Sequence, residues 1–296
     1  WISKNILICS EDSSGWWNLL FLEISTIDQI IIKKRIKKES FEYGFPEWTA
    51  GESVFSGSNN NLFCLAKNKD FWILENYQNF AFYQKIDLPF RCLKDLHVSS
   101  NKLICIASSD SSHEQLLKID MDYSFKILNT PKANISKNFI SFVKPYVYWF
   151  KGYCNKDTHA WIYNPFNEDR EKLPLLLRAH SGPTSSFNGT LNLEVQYWLS
   201  RGWCVAEVNY GGSSGFGREY RERLNMNWGI VDSFDCINLA KSLIKKKTID
   251  PSRIIISGNS AGGLTALNSL IQSDIFKAAI CKYPVIDLNE MRLNTH

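Results

Sequence analysis

Long apolar runs are missing from these 296 residues: none approaches the eighteen or so needed to span a bilayer, which excludes a membrane-crossing helix. No basic-then-apolar leader opens the chain, so nothing reads as a secretory signal. Charge of one sign is also scarce. A net charge of +4, with the cations scattered, is too small to argue for nucleic acid. The one basic run, Lys33 to Lys38, follows Ile30-Ile31-Ile32 and reads as a solvated strand end and turn. The eight cysteines contain no C-x-x-C pair, and most lie inside apolar segments, as reduced core thiols of a cytoplasmic protein do. Nothing calls for a metal or a cofactor. The chain also lacks an initiator methionine, beginning at Trp1 inside a strand-like pattern, and is read as a piece of a longer polypeptide.

Helical periodicity is missing from the first half, residues 1–165, where short apolar runs alternate with polar turns. Four similar units start near Asn5, Asn61, Lys102 and Tyr146, each followed by a second apolar strand: Trp17 to Ile24, Phe71 to Leu74, Gln115 to Ile119 and His159 to Tyr163. Their spacing is that of four-stranded propeller blades. A partial β-propeller of about four blades is the expectation for this half, and a β-sandwich the alternative. His97, His113 and His159 are read as surface or turn residues of it.

Past Pro165 the pattern changes to strands alternating with helices. Leu173 to Ala179 and Trp203 to Val208 read as buried strands, and Gly189 to Ser200 as a helix with Leu191, Val195, Trp198 and Leu199 on one face. Such alternation means a parallel sheet covered by helices on both faces, with reactive groups at the carboxyl ends of its strands. Residues 166–296 are accordingly expected to form part of an α/β-hydrolase domain.

The most informative stretch is Ile254 to Gly263. A β-branched run stops at Gly258-Asn259-Ser260-Ala261-Gly262, and a helix-period face of Leu264, Leu267, Leu270 and Ile271 follows. This fits the G-x-S-x-G nucleophile elbow, in which a strained turn lifts one serine hydroxyl out of the sheet. Glycine is required at positions 258 and 262 because strand and helix nearly touch there. A serine nucleophile needs a base to take its proton and two fixed N–H donors for the oxyanion. The donors expected here are the backbone N–H groups of Ala261 and of Gly182, in the loop His180-Ser181-Gly182-Pro183. His180 itself precedes the serine, the wrong chain order for the base. Asp287 reads as a helix-capping or turn residue. The loop Gly211 to Gly217 lacks the lysine of a P-loop and does not fit G-x-G-x-x-G, so it reads as a tight turn between strand and helix.

Several of these segments together resemble the prolyl oligopeptidase family, in its acylaminoacyl-peptidase and dipeptidyl-aminopeptidase-like branch. They are Val208 to Arg218, Trp228 to Asp232, Asp250 to Arg253 and Gly258 to Gly263, with Gly15 to Leu19 and Phe45 to Trp48 in the first half. The resemblance implies a propeller that filters access to a serine peptidase site acting on short peptides. It carries Ser260 over as nucleophile, with Ala261 and Gly182 as oxyanion donors. Ser181 stands where relatives usually have glycine, and the family's Asp and His are expected beyond residue 296, which would leave this piece nearly inactive. The implied partner is a short peptide substrate, with no nucleic acid and no membrane, and homo-oligomer formation is left open. The alternatives are a carboxylesterase using the same elbow and a non-catalytic propeller scaffold that binds peptides.

Overall fold

A computed structural model describes residues 1–26, 29–46, 48–49, 51–58, 60–129, 142–165 and 172–294. The chain divides into two compact units, Trp1–Ile140 with Ser214–Glu219, and Ser141–Ser213 with Tyr220–His296.

The first unit holds three antiparallel sheets. β1 (Ile6–Glu11), β2 (Asn18–Thr26) and β3 (Gln29–Arg35) form one. β4 (Phe55–Ser58), β5 (Asn61–Asn68), β6 (Phe71–Gln78) and β7 (Ala81–Ile86) form the second, and β8 (Cys92–Ser99), β9 (Lys102–Ser108), β10 (Gln115–Asp120) and β11 (Phe125–Asn129) the third. All four strand pairs expected from the sequence are antiparallel neighbours, and three of them lie in this unit: β1 with β2, β5 with β6, and β9 with β10. The second sheet is covered on both faces. Leu62, Cys64 and Ala66 of β5 pack with Ile8, Leu19 and Phe21 of the first sheet. Phe63 and Leu65 pack with Leu93, Leu103 and Leu117 of the third. Burial on both sides explains why β5 reads as a continuous apolar run instead of an alternating one.

Two buried carboxylates tie this unit together. Glu75 accepts hydrogen bonds from the Tyr43 hydroxyl (2.6 Å) and the Tyr77 hydroxyl (3.0 Å), and pairs with Lys38. The basic run is therefore not solvated throughout, since Lys38 is spent on a buried acid. Glu42, 1% exposed, accepts from the N–H of Gly215 (2.7 Å) and of Gly217 (3.1 Å). Lys67 lies beside it, and burial pulls its ammonium down to about 8 against the opposing pull of Cys92 and Glu42. The glycine loop is thus more than a tight turn. Its amides hold an anion, and the anion is a side chain of the same chain.

The second unit is built on one six-stranded sheet in the order β12-β13-β15-β14-β16-β17. The strands are β12 (Tyr146–Lys151), β13 (Asp157–Tyr163), β14 (Leu173–Ala179), β15 (Cys204–Asn209), β16 (Ile249–Asn259) and β17 (Ala278–Lys282). β14 to β17 run parallel, while β13 pairs antiparallel with β15. This corrects the expectation of a fourth blade-like unit at Tyr146 to Tyr163, because that hairpin extends the parallel sheet. Local alternation could not reveal it, since β13 is buried on both faces from Thr158 to Tyr163. His159 is corrected with it. It is fully buried, edge-on to Trp149 and Trp161, with Nδ1 3.0 Å from Asn209 Nδ2.

Successive side chains of the parallel strands sort onto two cores. Leu175, Leu177, Ala206, Val208, Ile254 and Ile256 pack with Cys236, Ile237, Leu239, Ala240 and Leu243 of helix α3 (Val231–Lys245). Leu176, Val205 and Ile255 face the other way, against Val195 and Leu199 of α1 (Leu193–Leu199). Between these helices lies the single turn α2 (Arg218–Arg221), and after them come α4 (Ala261–Gln272) and α5 (Leu288–Asn294). Two buried faces require strands apolar at every position, and burying each such side chain contributes about 1.5–3 kcal/mol. Among the described residues no helix is long and apolar enough to cross a membrane.

Candidate active site

β16 ends at Asn259 and α4 begins at Ala261, so the whole reversal from strand to helix falls on Ser260. Its backbone stands at φ 51° and ψ −118°, a conformation that costs a residue with a β-carbon of order 1–3 kcal/mol. The surroundings over-determine it. The Ser260 N–H donates to Lys282 O at 3.1 Å, and its carbonyl accepts from Gly263 (2.9 Å), Leu264 (3.3 Å) and Val285 (3.1 Å). Glycines then make the bend sterically feasible. A methyl group on Gly258 would overlap the Gly262 carbonyl. One on Gly262 would lie 2.5 Å from Ala179 O and 2.6 Å from His180 O, and one on Gly263 would lie 2.7 Å from Pro284 Cβ. The requirement at positions 258 and 262, expected from the motif, has these atoms as its cause.

The Gly262 contact also locates the second loop. Ala179 closes β14 and His180 follows it, so the first turn of α4 sits against the carboxyl end of β14, where His180-Ser181-Gly182-Pro183 begins. Gly182 takes φ +75°, a left-handed value suited to glycine. Its carbonyl accepts from Ser185 N–H at 3.2 Å. The N–H of Gly182 and the N–H of Ala261 have no hydrogen-bond partner among the described residues. Ala261 is 1% exposed and opens a helix, where the first N–H groups have no acceptor within the helix and carry partial positive charge. Two uncommitted donors therefore lie on adjoining loops, one of them next to the Ser260 hydroxyl in the chain.

His180 is 4% exposed and stacks on Tyr210 with ring centroids 4.1 Å apart. Its Nδ1 lies 3.0 Å from Gly182 O and its Nε2 2.7 Å from Ser213 Oγ. Tyr210 and Ser213 lie within the Val208 to Arg218 segment, but nothing in the sequence marked them as partners of His180. Burial holds the Tyr210 hydroxyl well above the usual phenol range, with Asp232 adding to the shift, so it stays a donor. Asp235 of α3 accepts from the N–H of Gly211 (2.7 Å) and of Tyr153 (2.6 Å), anchoring the loop after β15. Burial raises its carboxyl to about 6, with these N–H groups opposing. Asp287 Oδ1 accepts from Asn289 N (2.8 Å) and Glu290 N (3.1 Å), the capping role read for it. Among the described residues no three His, Cys, Asp or Glu side chains gather as a metal site would need.

These features together make a G-x-S-x-G strand–turn–helix elbow, and comparison with known proteins shows what the chain resembles. Residues 190–296 match the profile of the Prolyl oligopeptidase family. Acylamino-acid-releasing enzyme 1 of Oryza sativa subsp. japonica is 28% identical over 183 residues, covering 61% of this chain and 22% of that protein. Acylamino-acid-releasing enzyme of Rattus norvegicus is 30% identical over 145 residues, 48% of this chain and 20% of that one. The solved structure of a Mycobacterium tuberculosis puromycin-hydrolyzing peptidase superposes with a TM-score of 0.90 at 27% identity, over 100% of this chain and 46% of that chain. The matched stretches thus span about a fifth of these curated relatives, and the chain spans a little under half of the solved structure.

Proposed function

We propose that this chain carries the nucleophile of a serine peptidase that hydrolyses short peptides through an acyl-enzyme on Ser260. In this reading the three antiparallel sheets are blades of a β-propeller, and the six-stranded sheet with its helices is part of an α/β-hydrolase domain. The observation that carries it is the strained backbone of Ser260 at the junction of β16 and α4, held by four hydrogen bonds. Strain so firmly held is the signature of a residue kept for chemistry. The Ser260 oxygen adds to the scissile carbonyl carbon while its proton passes to a histidine base. The resulting oxyanion takes hydrogen bonds from the N–H groups of Ala261 and Gly182. Collapse breaks the C–N bond, the base returns the proton to the leaving amine, and water then releases the acid by the same steps. Relatives named for releasing acylamino acids support a peptide bond as the target. A cytoplasmic setting is supported by cysteines that are all free thiols.

The test uses the protein expressed from its full open reading frame. A fluorophosphonate forms an adduct on Ser260, Ser260→Ala abolishes it, and an aminoacyl anilide is hydrolysed in preference to a short-chain p-nitrophenyl ester. Absence of the adduct refutes the reading in favour of a binding scaffold, and ester preference refutes the peptidase assignment.

A further inference from the structure

We infer that His180 is a positioning residue for the oxyanion donor Gly182, an inference that rests on the reading of Ser260 as nucleophile. The N–H proposed to meet the oxyanion belongs to the peptide between Ser181 and Gly182. Both neighbouring peptides are pinned. On one side, His180 O packs against Gly262, and the Tyr210 hydroxyl lies 3.4 Å from it and 3.5 Å from Gly182 O, so that its one hydrogen serves either restraint. On the other, Gly182 O receives Ser185 N–H at 3.2 Å and lies 3.0 Å from His180 Nδ1. A glycine at φ +75° is free to turn its peptides, so the donor's direction depends on these outside restraints.

The chemistry of the partners fixes the ring's protonation pattern. A carbonyl oxygen only accepts, so Nδ1 carries the proton and donates to Gly182 O. Nε2 of the neutral ring is then an acceptor, and the Ser213 hydroxyl 2.7 Å away is its donor. The same hydroxyl lies 2.8 Å from Tyr210 O, and its single hydrogen serves one of the two. Protonating the ring would turn that hydrogen toward Tyr210 O and leave the Nδ1 bond in place. The restraint on Gly182 therefore holds in either charge state, which separates a positioning role from that of a base.

In the full-length protein, His180→Ala lowers kcat about 10- to 100-fold, less than or near the loss of a whole oxyanion donor, with KM within about two-fold. His180→Asn, whose amide nitrogen replaces Nδ1 as donor, recovers kcat to within about five-fold of wild type and keeps the shape of its pH profile. At neutral pH, 15N-detected ring spectra show Nδ1 protonated and Nε2 bare. An unprotonated Nδ1, or an Asn variant no better than the Ala variant when both are folded, overturns the inference. If the Ala variant fails to fold, the Asn variant and the ring spectra decide. Persistent hydrolysis in Ser260→Ala sinks the reading of the nucleophile itself. Intact Ser260 labelling with unchanged kcat in His180→Ala sinks only the role of His180.

Discussion

Helices α1 and α4 both follow strands of the same parallel sheet, and their first turns are made in opposite ways. At α1 the side chain of Asn192 accepts from Glu194 N–H (2.9 Å) and Val195 N–H (3.2 Å), satisfying donors a helix start leaves open. At α4 the capping position holds Ser260, a residue type just as suited to capping, yet its hydroxyl caps nothing and its backbone is left-handed. One terminus uses its side chain for stability. The other leaves its side chain out of the cap and its Ala261 amide without a hydrogen-bond partner among the described residues, while the Gly263 and Leu264 amides turn back to the Ser260 carbonyl.

This contrast breaks most readily at the glycines. Gly262→Ala drives a methyl group into two carbonyl oxygens of the β14 end, and a loss of more than about 3 kcal/mol is expected, read as a fall in Tm together with loss of fluorophosphonate labelling. A third terminus sharpens it. α3 has no side-chain cap on Ile230, and its acids serve loops: Asp232 takes the Gly229 N–H at 2.7 Å, and Asp235 takes those of Gly211 and Tyr153. Because burial raises the Asp235 carboxyl from 3.8 to about 6, the folded state binds its proton more tightly than the unfolded state does. Its contribution is present below pH 4 and is lost as pH rises through about 6, of order 2–3 kcal/mol, and Asp235→Asn flattens that slope in Tm measured from pH 4 to 7. Asn192→Ala costs about 1 kcal/mol in denaturant unfolding and leaves labelling of Ser260 intact. Ser260→Gly abolishes labelling and relieves the left-handed backbone, so stability rises by up to about 1 kcal/mol. A loss there would mean that the serine is braced without strain.

The legible parts were those in which neighbours along the chain carry the cause. β14 was read at Leu173 to Ala179 and is found there, and the elbow was readable because glycine, serine and glycine at fixed spacing have a local steric meaning. What escaped depends on partners far away in the chain. The hairpin of β12 and β13 looks like any other antiparallel pair until β15 is known to accept it. His159 looked exposed because a strand buried on both faces has no alternation to betray it. Glu42 and His180 were opaque for a further reason. Their meaning lies in hydrogen bonds to backbone groups, and backbone groups leave no mark on residue identity.

The carboxylate of Glu42 and the amides of Gly215 and Gly217 are separated by 173 and 175 positions, although they belong to the same compact unit. On the ribosome, the amino-terminal sheets are complete long before those amides emerge from the exit tunnel. Until then an acid destined for the interior stays hydrated, and the unit cannot close around it. Consolidation of the first unit must therefore wait for synthesis well into the second, a late long-range step of the kind that slows folding and lengthens dependence on chaperones.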